Sequence, residues 1–232
     1  MTNERHFCMA VGPEDVIRQT RGRGTRAAVL KEVKWQPGES ITVRFVEGSQ
    51  ALRARVRKVA EEWTTASTAN LKLSFVEHGR ADIRIAFVEG DGSWSVLGTA
   101  CRQIDSSQHT MNYGWLTPDS EEDELRRVVL HEFGHALGLI HEHQNPQRPI
   151  SWNRAAVVAD LSGPPNNWDE ETIERNMFEK YDPSQVVATD TDPKSIMMYP
   201  IPRAWTTDGF SVELNSELSP KDHELIREVY PW

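Results

Sequence analysis

Apolar and polar residues alternate over 41–46, the period-two pattern of a half-buried strand. Residues 50–66 change to a helical period: Leu52, Val56, Val59, Ala60 and Trp63 fall on one stripe, with arginines and glutamates opposite. Strand patterns return over 71–76, 81–87, 93–100 and 110–115, the third of these after the turn at Glu89-Gly90-Asp91-Gly92. Thr117-Pro118 predicts a helix opening. The acidic run from Glu121 to Glu124 suits the first turn, where negative charge favours the helix dipole. In that helix Leu125, Val129, Phe133, Ala136 and Leu137 form the buried side, so His131 and His135 project elsewhere, toward a cleft. Beyond residue 141 the periodicity breaks into loops, with short helices expected over 153–160 and 168–180. Ser219-Pro220-Lys221-Asp222 opens a last helix with a capping-box-like pattern and turns Leu225, Ile226 and Val229 inward. A strand, a helix, more strands, a long helix and an irregular second half predict an α+β fold.

Composition narrows the function. With 232 residues and 38% hydrophobic content the chain can bury the core of one catalytic domain with two lobes, expected as a monomer. A formal charge of −9 argues against nucleic acid as a partner. No apolar run approaches the ~20 residues that span a bilayer, so no membrane partner is expected. The polar N-terminus is no signal peptide, which leaves a cytoplasmic location, an export signal outside this sequence, or export by another route. Residues 18–26 hold four arginines, two glycines and no apolar residue. They read as a solvated tail, or as a protease-sensitive linker behind a short pro-segment. The expected division is an arm or pro-segment over 1–26 and a catalytic domain over 27–232, with an upper lobe to 141 and a lower lobe from 142.

The chemistry concentrates in residues 131–141, which read H-E-x-x-H-x-x-G-x-x-H and hold three of the eight histidines. His131 and His135 are four apart, so on a helix they face the same way, one turn apart. Gly138 can take positive φ, end the helix and return the chain, so that His141 approaches the same point. Three imidazoles suit Zn²⁺ and leave a fourth position open, the mark of a catalytic site. Glu132 is placed to act as general base on a water there. His143, two residues past the third ligand, reads as a loop histidine, because a fourth ligand would close the open position.

Together with Ser195-Ile196-Met197-Met198-Tyr199, this motif makes the chain resemble the metzincin metalloproteases, and within them the astacin family. The resemblance implies an upper lobe with a twisted, mostly parallel five-stranded sheet and two long helices, and a lower lobe mostly of loops with a C-terminal helix. It implies a zinc endopeptidase whose Met197 is a hydrophobic floor under the ligands and whose Tyr199 reaches the metal or the reacting carbonyl. In that family the strand placed here at 93–100 is the edge to which a polypeptide substrate adds as an antiparallel strand.

Ala27-Ala28-Val29-Leu30 is similar to the start of mature astacins, which implies an α-amino group freed at Ala27 and paired with Glu142. A pro-segment over 1–26 implies a group that covers the zinc: Cys8 as a thiolate, or Glu14 or Asp15. Otherwise Cys8 is an incidental thiol or half of a disulfide with Cys101. The chain departs from astacins in carrying two cysteines where the family typically has two disulfides, and in Met198 where astacins usually have His. Secretion follows from the resemblance; the cytoplasm is the alternative. The rival function is a latent or non-catalytic zinc-binding relative that acts by recognition.

Overall fold

The computed structural model describes residues 6–11, 33–65, 68–145, 149–180 and 191–232. The linker at 18–26 and the Ala27-Ala28 segment, with Glu14 and Asp15, lie outside the described residues. Six strands form one sheet: β1 (Cys8–Val11), β2 (Ser40–Phe45), β3 (Lys72–Phe75), β4 (Ile83–Ala86), β5 (Ser93–Val96) and β6 (Met111–Tyr113), in the order β1-β5-β6-β4-β2-β3. Every pairing is parallel except β5 with β6. Five of these strands are those expected from alternation. The sixth, β1, comes from the arm and pairs in parallel along the whole of β5, Cys8 opposite Ser93 and Val11 opposite Val96.

Alternation sorts the two faces of the sheet. Ile41, Val43, Ile83 and Ile85 are buried against α1 (Gln50–Ala60) and α2 (Glu122–Ala136), while Thr42, Arg44, Asp82 and Arg84 stand on the other face. Ser49 caps α1 by accepting from Leu52 N–H, and the predicted stripe of Leu52, Val56, Val59 and Ala60 is buried. The stripe continues to Trp63 in the tighter turn Glu61–Thr64. The expected strand 93–100 ends at Val96 because the chain turns at Gly98. That glycine has φ +46, and a Cβ on it would overlap Val33 O. The long helix starts at Glu122, later than Thr117-Pro118 predicts: Thr117 N–H donates to Ser120 Oγ and Ser120 N–H to Thr117 O, closing a separate turn.

The lower lobe has α3 (Arg154–Leu161), α4 (Glu170–Ile173) and the last helix α5 (Pro220–Val229). Its core is Val157, Leu161, Trp168, Met177, Ile201, Trp205 and neighbours, and Phe7 of the arm is buried among them. Cys8 and Cys101 are both buried and free, so the disulfide alternative does not hold.

One carboxylate ties the last helix to the turn 195–198. Asp222, in the first turn of α5, accepts from Ser219 N–H (2.9 Å), Ser195 Oγ (2.6 Å) and Ile196 N–H (2.9 Å). Ser195 Oγ in turn accepts from Met197 N–H. The capping box of α5 therefore also fixes the turn 195–198. Burial pushes the Asp222 carboxyl up, and the three donors oppose that shift. Asp222→Ala leaves three donors unpaired and is expected to cost about 3 kcal/mol, read from urea denaturation; a change within about 0.5 kcal/mol would contradict the assigned role. The same turn packs Met197 under α2 at Gly134, where a Cβ would overlap Met197 Sδ. Gly134→Val is expected to destabilise by about 2 kcal/mol through overpacking, despite removing a helical glycine, and to weaken zinc affinity in a chelator competition titration.

Candidate metal centre

The end of α2 is closed by long-range bonds that fix where its histidines stand. Trp63 Nε1 donates to Leu130 O (2.9 Å), Trp35 Nε1 to Ala136 O (2.8 Å) and Tyr230 Oη to Leu137 O (2.6 Å). The last two satisfy carbonyls that the helix end leaves open, and the first pins the turn before it. Gly138, at φ +92, donates to His135 O, and Leu139 N–H donates to Gly134 O. This is the Schellman arrangement, and it is the turn that the glycine predicts.

His131, His135 and His141 come together with one possible ligand atom from each, all within 4.8 Å of one another. Each ring has its Nδ1 against an oxygen: His131 on Ile196 O (2.9 Å), His135 on Leu139 O (2.8 Å) and His141 on Gln144 Oε1 (3.2 Å). A carbonyl oxygen only accepts, so each Nδ1 carries the proton and each Nε2 is a bare lone pair. The Gln144 assignment is itself fixed, because its Nε2 donates to Arg175 O and Glu179 O.

The lone pairs have no protein partner suited to them. His131 Nε2 is buried without a hydrogen bond, and the Nε2 atoms of His135 and His141 are 3.0 Å apart. Two lone pairs at that distance repel unless a cation lies between them. Tetrahedral zinc with N ligands at ~2.0–2.1 Å sets such nitrogens roughly 3.3 Å apart, so the donor set fits Zn²⁺. Burial and the neighbouring imidazoles hold His131 and His141 well below the usual histidine range, and burial brings His135 to about 4. All three are neutral ligands at neutral pH.

Glu132 is fully buried next to this group, with both carboxylate oxygens lacking a well-formed hydrogen bond. Burial pushes its carboxyl well above the carboxylate range, opposed by the Cys8 thiol and the Arg127 guanidinium nearby. Tyr199 packs its ring 4.3 Å from His141 and 5.7 Å from His131, between centroids. Its hydroxyl donates to the carbonyl of Cys8. Met197 is buried below α2, and its carbonyl accepts from Glu142 N–H (2.9 Å), so the residue after the third ligand is tied to the turn 195–198.

Cys8 lies outside the three-histidine group. Its thiol faces Glu132, and burial, then the Glu132 charge, pushes it well above the usual thiol range. A cavity of only about 10 Å³ remains between Phe7, Cys8, Arg127, His131 and Tyr199, room for about one water. Glu142 accepts from Asp192 N–H (3.0 Å) and makes no ion pair among the described residues; burial brings it to about 7. Its expected partner Ala27 lies outside those residues.

Several residues of the centre carry no sequence signal strong enough to find them. Gln144 orients the third ligand, and Asp222, which the sequence marks only as a helix cap, also anchors the turn. His143 is buried rather than a loop residue, with its Nε2 on Asn176 O (2.7 Å) and its ring 4.7 Å from Tyr199. Tyr113 places an unpartnered hydroxyl near Glu132.

Comparison with known proteins agrees with this geometry. The Peptidase_M10 family, described as Matrixin, matches residues 34–148. The structure of myroilysin is 43% identical, covers 89% of this chain and 99% of its own, and superposes with a TM-score of 0.84. Interstitial collagenase of Bos taurus is 33% identical over 97 residues, which are 37% of this chain and 20% of that protein. A hatching enzyme zinc-protease from Oryzias latipes shares the fold at 18% identity and a TM-score of 0.53, over 86% of this chain and 95% of its own. The chain spans about a fifth of the length of the curated relatives it matches. Its buried histidine triad, two members on α2 and the third beyond the Gly138 turn, its mostly parallel sheet and its match to myroilysin place the chain in the metzincin-like zinc metalloproteases.

Proposed function

We propose that the chain is an endopeptidase in which Glu132 is the general base, and that its N-terminal strand holds it latent. The observation that carries the catalytic reading is the convergence of three Nε2 lone pairs beside a carboxylate with no committed hydrogen bond. His131, His135 and His141 would hold Zn²⁺, which when bound would supply Lewis-acid chemistry at the scissile carbonyl and at the attacking water. Glu132 takes the proton of the attacking water and returns it to the leaving amine. Tyr199 donates its hydroxyl to the developing oxyanion, as it donates to the Cys8 carbonyl here. The substrate is a polypeptide that adds antiparallel to β5; neither nucleic acid nor membrane takes part, and the enzyme works as a monomer. Tyr199 and Glu142 are the astacin-like features of a chain whose family match is Matrixin.

Latency rests on β1, which occupies that edge in the opposite sense to such a substrate. Cys8 covers Glu132 as a neutral thiol here, and it is the candidate latency ligand once a metal at the histidines draws off its proton. Cleavage in the linker 18–26 removes the strand and frees Ala27 to place an ammonium on Glu142, whose carboxylate lies beside Asp192 and Asp222 without a cation among the described residues. An ammonium and a carboxylate buried together compensate each other.

In processed enzyme, Glu132→Ala is expected to lower kcat/KM on a peptide substrate about 10³-fold or more, and Tyr199→Phe about 10²–10³-fold with zinc content unchanged. Wild-type turnover in Glu132→Ala would refute the mechanism and favour the recognition role. Casein digestion with and without a zinc chelator, followed by N-terminal sequencing, tests latency. Chelator-sensitive cleavage by protein that starts at Ala27, with the full chain silent, is expected; full activity with residue 1 retained would overturn it. Cys8→Ser should raise the activity of the full chain, and unchanged latency would discard the thiol.

A further inference from the structure

The face of the sheet away from α1 and α2 carries a second polar cavity, of about 550 Å³, lined by Arg44, Arg80, Arg84 and Arg102 with Asp82 and Ser106. Four guanidiniums around one opening contrast with the formal charge of −9 on the chain. Two of them are directly opposed: Arg44 of β2 is the register partner of Arg84 of β4. Like charges placed so on neighbouring strands repel. The charge on Arg44 contributes to the lowering that burial imposes on Arg84.

The arginines divide by how they are held. Arg84 is buried, and five carbonyls accept from it: Gln108, Ala81, Asp82, Ile104 and Asp105. Neutral oxygens satisfy its hydrogen bonds and leave its charge in place. Arg102 is paired with Asp82 (2.8 Å) and Glu39 (2.7 Å). Arg44 spends one nitrogen on Gly79 O (2.9 Å), and its buried Nε has no partner. Arg80 is exposed and makes neither hydrogen bond nor ion pair among the described residues. One carboxylate, Asp82, lines the cavity, and Arg102 and Thr42 already engage it.

We propose that this cavity binds a sulfate or phosphate ester carried on a sugar-sized group. An ester oxyanion, singly charged as a sulfate or close to doubly charged as a phosphate, accepts from the free donors of Arg44 and Arg80 and relieves the repulsion between Arg44 and Arg84. The volume lies within the ~300–1,000 Å³ of small-molecule sites, so the anion arrives with a group attached. Strands β2 and β4 place the site on the sheet face opposite the helix that bears the histidines, so it stands apart from the metal centre.

Isothermal titration of the full chain in about 0.1 M salt tests this, with glucose 6-phosphate, glucose 6-sulfate, inorganic phosphate, inorganic sulfate and glucose as probes. Saturable binding of at least one ester, tighter than its inorganic ion, with no binding of glucose, is expected. Arg44→Met and Arg80→Met should each weaken it about tenfold or more while the far-ultraviolet dichroism stays unchanged. The ester should raise the melting temperature of the wild type and leave that of the double variant unmoved. Inorganic ions that bind as tightly as the esters would assign the site to the free oxyanion and overturn the ester. Absence of saturable binding, or binding that neither substitution weakens, would overturn the site itself.

Discussion

Three buried imidazoles must each turn a bare nitrogen to one point, and that constraint organises the rest of the molecule. A neutral imidazole can bear its proton on either nitrogen, so the centre exists only if every Nδ1 is committed elsewhere. The acceptors come from three sources: the turn after α2, Gln144, and Ile196 in the turn 195–198. Each acceptor is held in its turn. Leu139 is set by Gly138, Gln144 by two carbonyls of the segment 175–179, and Ile196 by Asp222. Zinc affinity and lobe docking are thus the same structural problem, because His131 sits on the upper lobe and its acceptor on the lower.

The arm changes the character of this centre. Phe7 enters the lower core against Trp205 and Tyr199, Cys8 faces Glu132, and β1 completes the hydrogen bonding of β5. A carboxylate in such a dry setting is held toward its neutral form, which suits a covered base and not a working one. On the proposed reading, loss of the strand lets water reach Glu132 and returns its carboxyl toward the ordinary range. The same step would expose the edge of β5 and free the Tyr199 hydroxyl, which β1 and the Cys8 carbonyl engage here.

What the sequence reveals divides by the range of the interactions involved. The histidine motif is legible because its geometry is local: a four-residue spacing on a helix and one glycine turn. The stripe of α1, the alternation of β2 and β4 and the capping box at Ser219 are legible for the same reason. The start of α2 is not, since Thr117 and Ser120 bond each other and delay the helix to Glu122. β1 is invisible because four residues gain strand character only from β5, more than eighty positions away. Asp222 is marked only as the cap of its own helix, since its bonds to the turn 195–198 span 26–27 residues, and Gln144 is held by carbonyls 31–35 residues distant. Arg44 and Arg84 read singly as solvent-facing charges; only strand register makes them opposed.

Tethering decides how such a cleft is opened on the proposed reading. A strand joined to its own enzyme competes at an effective concentration in the millimolar range or above, whatever the affinity of a separate peptide. β1 adds to this by burying Phe7, which fills a lower-lobe site that an edge-pairing peptide need not fill. A substrate therefore meets an opponent that cannot diffuse away, and binding energy alone does not remove it. Cutting the tether changes the problem, because the released strand is diluted from that local concentration to its bulk one. The free energy for opening then comes from hydrolysis of one linker bond, and the sheet edge keeps the full strength that a substrate needs.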